Sequence, residues 1–199
     1  MRSISILVIL FLCAPAFAED IHECDIQAAH PSDPDHRGPG RSSREVVLQD
    51  AIPACREAVA SHPDQARFHY QLGRALTYWA DANGEDASEG FRYVQQAAEM
   101  GHTQALFVLG LLHLREGEVC AAEPVTKKAA DQGLKSARIT YVNAMLAGDY
   151  GECGVSATYD EMVGYLDGAT GQVNGYYENM LLTDLKRRLA VLAPLEDMK

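Results

Sequence analysis

Gln96-Ala97-Ala98-Glu99-Met100-Gly101 returns 32 positions later as Lys128-Ala129-Ala130-Asp131-Gln132-Gly133, and each copy runs into an alanine four residues past its glycine, Ala105 and Ala137. Self-similarity at a fixed period of roughly 20 to 50 residues marks stacked supersecondary units. No such unit buries its apolar face alone, so neighbours share one elongated core. Around these blocks the apolar residues recur at spacings of three and four rather than two, which predicts helices and no strand.

Working outward, Asp64 is placed to cap a helix through Phe68, Tyr70, Leu72, Gly73, Leu76 and Trp79, which Asp81-Ala82-Asn83-Gly84 stops. Its partner spans about Ala87 to Met100. Thr103 caps the next helix, through Ala105, Leu106, Leu109, Gly110 and Leu112 to Gly117, and the partner covers Cys120 to Gln132. A third pair runs from Leu134 to Ala147 and from about Thr158 to Ala169, across the turn Gly148-Asp149-Tyr150-Gly151. A last helix, Asn174 to Leu192, carries the apolar row Tyr177, Met180, Leu181, Leu185 and Leu189 to cover the stack, with Lys186, Arg187 and Arg188 towards water.

Upstream, residues 19 to about 43 are rich in Pro, Gly, Asp and His and have no sustained apolar period, which reads as an irregular arm. A first helix follows from about Ser43 to Ser61-His62-Pro63, with Pro53 as a potential kink. The division is therefore 1–18 signal peptide, 19–63 arm and first helix, 64–172 about three repeats, and 173–199 a capping helix. The signal reading rests on Arg2, the apolar run Ile4 to Leu12 and the small-residue exit Ala16-Phe17-Ala18. That run is too short to span a bilayer. The expected setting is a soluble, exported chain, periplasmic or secreted.

Charge narrows the partners. The chain has 17 Lys and Arg against 28 Asp and Glu, a formal charge of −11. Nucleic acid and anionic membrane surfaces, which need clustered cations, are thereby disfavoured. Once Cys13 leaves with the signal, Cys24, Cys55, Cys120 and Cys153 remain. Four cysteines allow three connectivities, and the sequential one, Cys24 to Cys55 and Cys120 to Cys153, is favoured because each pair spans about one repeat. Each bridge would contribute roughly 3 to 4 kcal/mol by loop entropy.

The pattern of Ala, three residues and Leu-Gly on a first helix, then an alanine pair and a closing Gly on a second, resembles the Sel1-like repeat, a cousin of the tetratricopeptide repeat. Ala105 to Gly110 with Ala129-Ala130 and Gly133 is the best copy. Phe68 to Gly73 with Ala97-Ala98 and Gly101 is a second, and Ala137 to Val142 with Gly168-Ala169 a degraded third. Cys24-Asp25 with Ala51-Ile52-Pro53-Ala54-Cys55 also looks like the region ahead of such repeats in exported bacterial proteins. The resemblance implies an all-α solenoid of antiparallel helix pairs, and a non-enzymatic adaptor that binds a protein or peptide. Some exported relatives are connected with cell-wall fragments or β-lactams, which supplies the alternative: an envelope protein that binds or hydrolyses such a ligand, with Arg74, Tyr78 and Trp79 as contacts.

In such stacks the first helices line the concave side. Positions two before, one after and five after the motif Gly form its stripe by helical spacing: Gln71, Arg74 and Tyr78; Val108, Leu111 and Arg115; Thr140, Asn143 and Ala147. Arg and Tyr are enriched at interface hot spots, which singles out Arg74, Tyr78 and Arg115. The arm concentrates ligand-type side chains, His22, Glu23, Cys24, Asp25, His30, Asp33, Asp35 and His36, but the Pro and Gly between them favour turn chemistry over a metal. No nucleophile elbow, Ser-x-x-Lys box or His-Glu-x-x-His helix occurs, so no catalytic residue and no cofactor is assigned. His113 is read as core packing.

Overall fold

The computed structural model describes residues 21–172 and 175–192, so the expected signal segment 1–18 and the expected helix start at Asn174 lie outside the described residues. Within them the chain is helical throughout: α1 (Glu23–Ala28), α2 (Leu48–Ser61), α3 (Ala66–Asn83), α4 (Ser88–Glu99), α5 (Thr103–Arg115), α6 (Val119–Asp131), α7 (Lys135–Ala147), α8 (Tyr159–Thr170) and α9 (Tyr176–Ala190), with a short 3₁₀ turn at Gly151–Cys153.

Glycine decides how closely each pair approaches. A Cβ on Gly73 of α3 would lie 2.8 Å from the Gly90 carbonyl oxygen and the Val94 amide nitrogen of α4, so backbone meets backbone there. Gly110 of α5 similarly faces the Thr126 hydroxyl of α6. In the third pair Val142 stands where that glycine would be and is fully buried. Tyrosines pack around this pair: Tyr141 meets Tyr165 edge-on at 5.7 Å and Tyr150 at 5.9 Å. Lys127 ties α6 to α8 through Glu161 at 2.6 Å, and that bond is the main reason its ammonium is held more basic than usual.

Helix ends follow local chemistry. Gly84 and Gly148 terminate α3 and α7 in the left-handed region, where a side chain would be strained. α5 is capped by His102, not Thr103, because the His102 ring nitrogen accepts the Ala105 amide. α2 starts at Leu48 rather than near Ser43 and continues past Pro53 as one helix. Both sequential disulfides are present: Cys24–Cys55 joins α1 to α2, and Cys120–Cys153 joins the start of α6 to the 3₁₀ turn.

α9 lies beside α7 and runs the same way, since Glu178 reaches Lys135 at 2.8 Å and Arg188 reaches Asn143 at 3.2 Å. It buries Leu182, Leu185 and Leu189, while Tyr177, Met180 and Leu181 stay exposed. The expected covering row is thus rotated, and Leu182 takes the place read for Leu181.

The arm is not irregular throughout. His22 caps the short helix α1, whose Asp25 is fully buried and accepts from Arg67 at 3.2 Å and Gln71 at 3.0 Å on α3. A buried carboxylate is tolerable only with such partners. Beyond α1 the chain turns back, and the Arg41 amide donates to the Ala29 carbonyl at 2.8 Å.

Candidate functional site

The arm reshapes the face formed by the first helices. Arg74 of α3 is 5% exposed and spends its guanidinium on the arm. It donates to the Ala28 carbonyl at 2.9 Å, the Ala29 carbonyl at 3.2 Å and the Arg41 carbonyl at 2.6 Å, and to the Tyr78 hydroxyl at 3.1 Å. Two of those carbonyls end α1, where a cation is favoured by the exposed C=O groups. Gln71 is wholly covered. These two positions, expected as open binding residues, are instead the seat of the chain's own N-terminal segment.

Past that seat lies a groove of about 330 Å³. Arg74, Thr77 and Tyr78 of α3, Phe91 and Val94 of α4, and Phe107, Val108, Leu111 and Leu112 of α5 line it, while His30 and Ser32 of the arm form an edge. Of the expected stripe the structure brings Arg74, Tyr78, Val108 and Leu111 to this groove. Leu111 is 42% exposed, a large apolar side chain left in water at the rim. Arg115 sits just beyond, its guanidinium 4.8 Å from the Phe91 ring centre and its Nε donating to Glu116 at 3.3 Å.

Thr140 and Asn143 are not among the lining residues, because the groove touches α7 only at Ser136. Asn143 is engaged by Arg188. Spacing along one helix puts these residues on a stripe but leaves unstated how far neighbouring helices splay. Phe91 and Val94 were missed because they belong to a second helix and enter between two first helices.

The groove is electrically quiet. Burial, and then the adjacent Arg74 cation, push the His30 imidazole down to about 4, so it is neutral at neutral pH. Burial likewise holds the Tyr70 phenol protonated. Among the described residues no carboxylate lines the groove and Arg74 is committed, so its chemistry is that of apolar contact with a few hydroxyls.

Three of the expected ligand-type residues of the arm have separate tasks. His22 meets Glu57 at 2.7 Å, Asp25 holds Arg67, and Cys24 is in a disulfide. His113 is not core: it is half-buried and its Nδ1 lies 2.7 Å from Glu118.

Fold and pairing define a Sel1-like repeat architecture. A crystal structure of a Sel1 repeat protein from Oxalobacter formigenes shares it, with a TM-score of 0.50 and 21% identity over 65% of this chain. The match spans 51% of that protein's length, and at this identity it establishes the fold. No protein-family model matches the sequence. No curated protein matches it either.

Proposed function

We propose that this chain is an exported, non-enzymatic scaffold that binds a protein or peptide in the groove between α3 and α5. The observation that carries the reading is the groove itself: an apolar recess of about 330 Å³ with Leu111 exposed at its rim, on a face whose other half is filled by the pinned arm. Solenoids present extended surfaces for such partners. Two disulfides fit an oxidising compartment, and no helix among the described residues is long and apolar enough to cross a membrane.

A cell-wall fragment or β-lactam is the competing ligand. It draws less support, because Arg74 is spent on the arm and Trp79 is not among the groove residues. The test is affinity capture from envelope extract with oxidised mature protein beside a Leu111→Asp variant, followed by mass spectrometry. A protein retained by the first bait and lost from the second, at unchanged melting temperature, supports the scaffold. Recovery of glycan alone, or identical yields from both baits, overturns the groove assignment.

A further inference from the structure

The arm and the start of α5 together assemble something neither contains alone. Asp33 and Asp35, from the arm, and His102, the cap of α5, place three ligand-type atoms within 4.8 Å of one another. The Asp33 and His102 side chains are essentially inaccessible, at 0% and 1% exposure, and the Asp33 Oδ2 and His102 Nε2 atoms have no hydrogen-bond partner among the described residues. They lie 3.3 Å apart, off the line an N–H···O bond requires. A buried carboxylate oxygen without a donor is costly.

We propose that Asp33, Asp35 and His102 form a binding site for a first-row divalent cation, with zinc the best-suited probe. Zinc binds imidazole nitrogen and carboxylate oxygen at about 2.0 to 2.2 Å. Two such bonds to one ion separate their ligand atoms by about 3.3 Å at a near-tetrahedral angle, the spacing found between His102 and Asp33. Asp35 Oδ2 is 3.8 Å from His102 Nε2, and its side chain, 57% exposed, has the freedom to close on the ion. The loop is pre-formed: the Asp35 amide donates to Asp33 Oδ1 at 3.0 Å, and the Tyr70 ring stacks on His102 with centroids 4.9 Å apart. An opening of about 440 Å³ borders Asp35 and His102 and gives the ion an entry and a place for water as the remaining ligand. Of the basic side chains at that opening, Arg67 is engaged by Asp25, and Arg37 also has a partner.

His102 supplies an internal reporter. Its Nδ1 accepts the Ala105 amide at 3.3 Å, so the neutral ring carries its proton on Nε2. A metal at Nε2 moves that proton to Nδ1, and Ala105 loses its acceptor. Ion binding and the α5 cap therefore compete, which keeps the affinity moderate and makes the Ala105 amide respond.

Zinc titration of the mature protein by calorimetry, with ¹H–¹⁵N spectra, tests the site. One zinc per chain is expected, with the Ala105 amide shifted and its hydrogen exchange accelerated. His102→Asn keeps a capping side chain but removes Nε2, and Asp35→Asn alters only an exposed group; each should weaken zinc at least tenfold. His113→Gln, at a half-buried histidine on the far end of α5, should change it less than twofold. Absence of binding at 1 mM zinc, an unmoved Ala105 amide, or affinity kept in His102→Asn and lost in His113→Gln would overturn the proposal and assign any zinc to other histidines.

Discussion

Charge reversal at Arg74 should unfold the arm rather than simply blunt a binding surface. In Arg74→Glu the carbonyls of Ala28, Ala29 and Arg41 lose their shared donor, and a carboxylate is set against them. Hydrogen bonds to a charged group contribute about 1.5 to 3 kcal/mol each, but the bonds share one guanidinium and the arm can lift into water, so they do not add. The substitution also sets an unpaired carboxylate against those carbonyls, which puts it among the costliest kinds of change, so about 3 to 5 kcal/mol is the expectation here. For a chain of this size it corresponds to a melting temperature lower by roughly 10 °C. Urea denaturation gives the loss directly, and hydrogen exchange locates it at the Arg41 amide, which donates to Ala29. Cys24–Cys55 still tethers α1, so protection should fall between residues 26 and 47 and persist in α3. Arg115→Glu, at an exposed site, should stay within about 0.5 kcal/mol. A loss below about 1 kcal/mol in Arg74→Glu, with the Arg41 amide still protected, would refute this account of the arm.

His30 gives a pH dependence of definite sign. Its folded pKa of about 4 lies below the ordinary 6.5, so the unfolded chain binds the proton first and stability falls as pH drops from about 6.5 to 4. With partial solvent exposure discounted, about 1 to 2 kcal/mol should disappear over that window, and His30→Gln should remove that part of the slope in urea melts. Gly73→Ala should cost about 2 kcal/mol by calorimetry despite alanine's helix propensity, because its Cβ meets α4 backbone at 2.8 Å. Graded reduction with alkylation and mass spectrometry should label Cys120 and Cys153 first, since Cys120 is exposed whereas Cys24 and Cys55 are wholly buried.

What could be read beforehand was local. The alanine pairs, Gly73 and Gly110 follow from close approach inside one helix pair, and their spacing carries that information along the chain. The sequential disulfides follow from the same period. α1 was hidden because six residues make no sustained pattern, and Asp25 is held by Arg67, 42 positions away. Helical spacing puts Arg74 on one face with Tyr78, but a stripe does not say what lies on it. The approach of Asp33 to His102 brings together two segments that no repeat relates. On α9 the rotation to Leu182, Leu185 and Leu189 was set by packing on α7 and α8, which an amphipathic row with apolar residues on two flanks leaves undetermined.

The arm also changes how the stack should melt. In a stack held only by contacts between successive pairs, the ends can peel away one unit at a time. Here a single run of chain is fixed to α2 by a disulfide and to α3 by Arg74, and it lies against the start of α5 at His102. Opening the boundary between α3 and α5 therefore also tears this strap. The N-terminal half is laced into one cooperative block, and fraying is left to the end that carries α8 and α9.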